Sequence, residues 1–278
     1  MSDPRETLRN DRVADARLPA ELIGDRKPVT PEPKQVCIAV SDLCRAPDGA
    51  RDRQVLFGET VAVYETVGEW AFVAAQKDGY VGYMRAQHLQ AAEEHTHFVA
   101  RAATHAYSQP SFKSREVRAL SFGSAVRVVG TGAEMFETPE GFIPVTHLAA
   151  SGQRFDDPLT VARLFLGAPY LWGGNSWWGI DCSGLVQAAC LACGIACPGD
   201  SDQQSCVVGE PVPDGSQPEA GDLLFWKGHV AWVSAPGTLL HASSHNMETK
   251  YEPLDVVRDR IAGQGDGPII AHRRLRLR

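Results

Sequence analysis

Nothing in the sequence approaches the run of roughly 18 apolar residues that a spanning helix needs, which predicts no membrane segment. The first ten residues, Met-Ser-Asp-Pro-Arg-Glu-Thr-Leu-Arg-Asn, lack the apolar core of a secretory signal. Basic residues are outnumbered: 27 Lys and Arg stand against 34 Asp and Glu, a net charge of −7. That excludes a generic nucleic-acid binder, which presents a basic surface. An even cysteine count is missing too. Seven cysteines without an export signal predict reduced thiols in the cytoplasm rather than a disulfide framework. What remains is an ordinary globular composition, 44% apolar and 22% charged, in a chain long enough for two or three domains.

Residues 1–34 are polar and carry five prolines, which predicts an extended arm with one helical turn near Glu21–Ile23. From residue 35 short alternating stretches with turn signals predict small β units. Two of these segments resemble each other. Leu56-Phe57-Gly58-Glu59 through His88-Leu89 is repeated as Leu120-Ser121-Phe122-Gly123 through His147-Leu148. Phe57 and Phe122 are 65 residues apart, His88 and His147 only 59, so the second copy is six residues shorter in its middle hairpin. Hairpin tips tolerate such losses because they are exposed. The pattern predicts two barrels, 35–92 and 93–150, followed by a polar connection and a third domain over 153–278. In the latter, a helix at Leu159–Leu166 and one at 181–193 precede strands at 222–226, 229–234, 238–243 and 269–272. Helices followed by a run of strands indicate an α+β fold.

The stretch 169–194 concentrates the chemistry. A loop rich in aromatics and glycine, Pro-Tyr-Leu-Trp-Gly-Gly-Asn-Ser-Trp-Trp-Gly-Ile, leads to Asp181, an N-cap residue. Cys182 then falls in the first helical turn, with Leu185, Val186, Ala189 and Cys190 at helical spacing behind it. Unpaired backbone N–H groups and the positive end of the helix dipole favour the thiolate, which is the nucleophile. The alternative is a small buried residue on a core helix.

A nucleophile needs a base, and the base an orienting group. His229 opens one predicted strand and His241 lies in the next, with the turn signal Ala235-Pro236-Gly237 between them. A hairpin about Pro236 sets His229 opposite Ser243. His241 then becomes the diagonal neighbour of His229 on the same face, within about 7–8 Å. A slip of one residue would destroy this arrangement.

Asp-Cys-Ser-Gly-Leu-Val at 181–186, Tyr-Leu-Trp-Gly-Gly at 170–174, Gly-Asp-Leu-Leu-Phe at 221–225, Gly-His-Val-Ala at 228–231 and Leu-His-Ala-Ser at 240–243 resemble, in order, the NlpC/p60 family of cell-wall cysteine peptidases. The β modules in front resemble bacterial SH3 domains. Together they resemble the subgroup that cleaves the γ-D-glutamyl–diamino acid bond of murein peptides. The resemblance implies a papain-like cysteine peptidase core preceded by two small SH3-like barrels. It makes Cys182 the nucleophile, His229 the base and His241 the third member. It also implies substrate contacts by Tyr170, Asp181, Ser183 and Ser201, and by Tyr80 and Glu59 from the first barrel. Tyr83 stands where the subgroup often has Trp. Asp181 and Glu59 would supply carboxylates for a free α-amine. The substrate implied is a murein tripeptide or tetrapeptide, L-Ala-γ-D-Glu-diaminopimelate, with an unblocked L-Ala, as in cell-wall peptide recycling. The resemblance implies no cofactor and no metal.

Two other classes share these elements: a murein-binding protein with a degenerate peptidase domain, and an amidase or acyltransferase using the same thiolate. The first is favoured by loss of the cysteine or a histidine, and all three are present. Cys190, Cys193, Cys197 and Cys206 have spacings reminiscent of a cluster ligand run. However, Cys190 and Cys193 share a helix whose face is needed for packing.

Overall fold

Strands such as Val81–Arg85, in which Gly82 and Met84 are buried and their neighbours half-buried, build antiparallel sheets, because residues two apart in a strand share a face. In the computed structural model, residues 3–213 and 215–275 are described, and the chain divides between Ser151 and Gly152 into two units. In the first unit a seven-stranded sheet runs in the order Arg51–Leu56, Val40–Cys44, Val81–Arg85, Trp70–Ala75, Thr60–Val67, Glu32–Val36, Leu89–Ala91. It closes around Val36, Leu43, Val55, Val61, Val73, Tyr80 and Met84.

The same strand order recurs downstream. Ala125–Val126, His97–Val99 and Leu148–Ala150 form one sheet. Glu116–Ser121, Ala103–Tyr107, Gly141–Pro144, Met135–Thr138 and Gly130–Thr131 form the next. The long strand Thr60–Val67 of the first module is here broken into Ala125–Val126 and Gly130–Thr131, so one sheet becomes two. Both modules use the same clamp. Ser41 Oγ meets His88 Nδ1 at 2.9 Å, and Thr104 Oγ1 meets His147 Nδ1 at 2.7 Å. Registers locate the length difference: ten residues separate Phe72 from its partner Tyr83, and four separate Glu137 from Phe142. The missing residues thus lie at one hairpin tip, and Tyr80 belongs to the segment that only the first module has.

Residues 3–31 are not a loose arm. A helical turn, Ala20–Ile23, stands where the sequence predicts one. Strands Val13–Asp15 and Lys27–Val29 also pair in parallel. Val13 packs with Tyr64, Phe72 and Ala74, and the Tyr64 hydroxyl donates to Asp15 Oδ2 at 3.0 Å. The strand Glu32–Val36 begins inside the segment predicted as arm, pairing with Thr60–Val67 and Leu89–Ala91.

In the second unit helix α1 (Pro158–Arg163) starts on Asp157, whose carboxylate accepts from Leu159 and Thr160 N–H at 3.0 Å each. Helix α2 (Cys182–Ala192) and the short α3 (Ser201–Val207) follow. A six-stranded sheet comprises β1 (Glu210–Pro211), β2 (Asp222–Trp226), β3 (His229–Ala235), β4 (Thr238–Ser243), β5 (Glu248–Pro253) and β6 (Ala271–Arg274). Its order is β1-β6-β2-β3-β4-β5. Strand β6 lies two residues later than the predicted 269–272. β5 and helix α4 (Leu254–Gln264) occupy a stretch whose pattern predicts no element. Val257 and Ile261 of α4 pack on Leu224, Ala231, Val233 and Leu239. This α+β unit carries its helices beside one antiparallel sheet.

Gly58 is where the two β modules meet. Its φ is +77°, and a Cβ there would lie 2.0 Å from the Ala125 carbonyl oxygen, while Ala125 N–H donates to Phe57 O at 2.9 Å. Gly58→Ala is therefore strained twice, in its backbone and against a carbonyl that is itself held. It should destabilise the chain by at least about 1 kcal/mol. Chemical denaturation of the variant against Gly68→Ala, whose glycine also has positive φ but open space, separates the steric from the backbone cost.

Candidate active site

Asp181 caps α2 in extended conformation. Its Oδ1 accepts from Gly184 N–H at 2.6 Å and from Ser183 Oγ at 3.0 Å, and its Oδ2 accepts from Gly173 N–H at 2.9 Å. One buried carboxylate thus ties the helix start to the aromatic loop, with Cys182 in the first turn between them. The loop folds back on itself through the pair Asn175–Ser176 and Gly179–Ile180. A Cβ on Gly174 would sit 2.4 Å from the Gly179 oxygen, so this fold needs glycine there. Tyr170 N–H donates to Met247 O at 3.0 Å, joining the loop to the turn before β5. Cys182 and Ser183 are buried. Helix α2 is further fixed by Gln204 of α3, whose Nε2 donates to Ser183 O at 2.9 Å. The helix that begins at Ser201 is thereby tied to the start of α2.

Helix α2 packs against β3 and β4. Their register is the one that a turn at Pro236 predicts: Trp232 pairs with Leu240 and Val233 with Leu239, with a bulge before Thr238. His229 and His241 accordingly share a face. His229 Nε2 lies 2.8 Å from His241 Nδ1, with the rings edge to face at 5.0 Å. Trp226, the cross-strand partner of His229, packs on its ring at 5.8 Å.

Behind His241 stands a group that the sequence reading does not contain. Glu252 of β5 pairs with Leu239 and lies diagonally from His241. Its Oε2 is 3.0 Å from His241 Nε2. Arg260 of α4 donates to both carboxylate oxygens, at 2.7 and 3.0 Å, and Asn246 Nδ2 donates to Oε2 at 2.6 Å. The Arg260 fork, assisted by His241, holds the Glu252 carboxyl down to about 2 against the cost of burial. Burial first, then the neighbouring His241 and Arg260, pushes His229 down to about 3; burial also lowers His241. Both rings are neutral at pH 7, the state in which an imidazole accepts a proton.

Tyr80 and Glu59 belong to the first unit. Tyr80 lies in the core of the first barrel. The Glu59 Oε2 accepts from Leu56 N–H at 2.7 Å and from Lys77 Nζ at 3.0 Å, both within its own module.

A sequence profile of the NlpC/P60 family matches residues 167–262. One described as the bacterial dipeptidyl-peptidase Sh3 domain matches residues 43–89. The gamma-D-glutamyl-L-lysine dipeptidyl-peptidase of Bacillus subtilis (strain 168) is 31% identical over 222 residues, 70% of this chain and 73% of that protein. A protein of the same name from Bacillus cereus is 25% identical over 247 residues, 73% of this chain and 71% of its own length. The crystal structure of an NlpC/P60 family protein from Bacillus cereus ATCC 10987 superposes with a TM-score of 0.75 at 22% identity, covering 89% of this chain and all of that one. Fold and relatives together define the class, a cysteine peptidase with a papain-like core. Within that class the chain belongs to the NlpC/P60 family, with a bacterial SH3 domain in front. No helix among the described residues is long and apolar enough to cross a membrane.

The low His229 value has a thermodynamic sign. An unfolded histidine titrates near 6.5, so between that pH and about 3 the unfolded chain holds a proton that the folded chain does not. Stability from this site is complete above pH 6.5 and is lost as the pH falls toward 3. Glu252, depressed from 4.5 to about 2, adds a loss of the same sign lower down. The melting temperature of the full chain should fall between pH 7 and 4, and by less in His229→Gln. Equal slopes for the two proteins would contradict this.

Proposed function

We propose that the chain hydrolyses the γ-D-glutamyl–L-diamino acid bond of cell-wall peptides whose N-terminal L-Ala is free, releasing the dipeptide L-Ala-γ-D-Glu. The observation that carries the reading is the cysteine at the capped start of α2, packed on the two strands whose histidines are hydrogen-bonded to each other. The names of the two Bacillus relatives support the bond class. In this reading His229 takes the thiol proton from Cys182 as Sγ attacks the γ-carbonyl of D-Glu. The backbone N–H of Cys182, at the helix start, faces the developing oxyanion. His229 returns the proton to the departing amine, leaving a thioester that water then hydrolyses. His241 orients His229.

Tyr170, Asp181, Ser183 and Ser201 form the proposed substrate side, and the family resemblance extends it to Tyr80 and Glu59. Asp181 serves as helix cap in the same role, since its two oxygens already accept from Gly173, Ser183 and Gly184. The proposed domains are the barrels 35–92 and 93–150, the latter a second copy of the SH3-like fold, and the peptidase domain 153–278. The proposed setting is recycling of wall peptides in the cytoplasm, and the proposed diamino acid is diaminopimelate.

Incubation with L-Ala-γ-D-Glu-diaminopimelate, its L-lysine counterpart, an N-acetylated form and a glycan-linked stem tests this directly. Cleavage is expected of the free peptides only, with release of L-Ala-γ-D-Glu. Cys182→Ala and His229→Ala should each lower kcat/KM by about a thousandfold or more. Activity undiminished in Cys182→Ala, or no cleavage of either free peptide by the wild type, would overturn the reading.

A further inference from the structure

Every acceptor position of Glu252 that faces the protein meets a donor. Arg260 reaches both oxygens, Asn246 reaches Oε2, and His241 Nε2 completes the set. Because the guanidinium cannot be deprotonated in a protein, the carboxylate beside it stays an acceptor only. His241 Nε2, 3.0 Å away, must therefore be an N–H. A neutral imidazole has one N–H, so Nδ1 of His241 carries the lone pair. The 2.8 Å contact then requires His229 Nε2 to be the donor, which leaves the lone pair of His229 on Nδ1.

We infer that Glu252 is a positioning residue of the peptidase reaction: held by Arg260 and Asn246, it sets the tautomer of His241 and, through it, makes Nδ1 the proton-accepting nitrogen of His229. This rests on the reading of His229 as the base for Cys182. No proton travels along the chain. The thiol proton moves to His229 Nδ1 and returns from there to the leaving amine, while His229 Nε2–H stays bonded to His241 and His241 Nε2–H to Glu252. Reversing both rings would turn a lone pair of His241 toward the carboxylate and place the proton on the nitrogen that must accept one.

Long-range ¹⁵N–¹H NMR of the full chain labelled with [¹⁵N]histidine reads each tautomer directly at pH 7, with His229→Gln and His241→Gln assigning the two rings. Both rings of the wild type are expected to carry their proton on Nε2. In Glu252→Gln the amide group meets donors in either orientation, so His241 should populate the other tautomer. Here kcat should fall about tenfold or more while KM stays within about twofold. A purely structural role would lower the melting temperature without moving the tautomer. A wild-type His229 protonated on Nδ1, or a folded Glu252→Gln with wild-type tautomers and kcat, overturns the inference. If that variant does not fold, the wild-type spectrum decides alone. The Cys182→Ala assay is independent: its failure removes the catalytic reading and leaves the tautomer result standing.

Discussion

Asp181 takes hydrogen bonds from both sides of a cysteine, from the helix that the cysteine begins and from the glycine loop that precedes it. Both bonds are buried, and losing one partner of a buried carboxylate costs the desolvation of what is left. Loop and helix are therefore one piece. Through Tyr170 that piece is bonded to the turn before β5, and through Gln204 to α3. The position of Cys182 relative to its own helix is thus set by a side chain one residue away, and the sheet comes to it through α2.

Much of this was legible because it is local. The Asp-Cys start, the apolar spacing behind it and the turn at Pro236 each act within a dozen residues. The register derived from that turn is the one that joins His229 to His241. Glu252 was not legible, for an equally physical reason. β5 pairs along its whole length with β4, but Glu248, Thr249, Lys250 and Glu252, four of its six residues, are charged or polar and show no apolar alternation. Helix α4 likewise buries only Val257 and Ile261. One signal existed: Glu252 stands eight residues before Arg260, opposite charges on either side of the helix start at Leu254. Extending the His229–His241 hairpin by one more strand would have placed a carboxylate beside His241.

The repeat shows the converse. Gly79-Tyr80-Val81 and Gly141-Phe142-Ile143 look alike, yet Tyr83, paired with Cys44, holds the place in the first module that Phe142, paired with Tyr107, holds in the second. Similar letters near a hairpin tip say little about equivalence, since the tip is where length changes. The serine or threonine bonded to each histidine, Ser41 to His88 and Thr104 to His147, is the more durable mark of the shared fold.

The boundary between a domain and its tail depends on what is counted. By composition residues 3–31 are tail, being polar and proline-rich. By contacts they are wall: Val13 closes an apolar cluster over Tyr64 and Phe72, and Asp15 is the acceptor for the buried Tyr64 hydroxyl. A chain begun at residue 32 would keep every strand of the first barrel, yet would open one of its outer faces to water with an aromatic pair at the centre. That outer face of the first barrel is therefore completed by a segment that supplies no strand to the seven-stranded sheet.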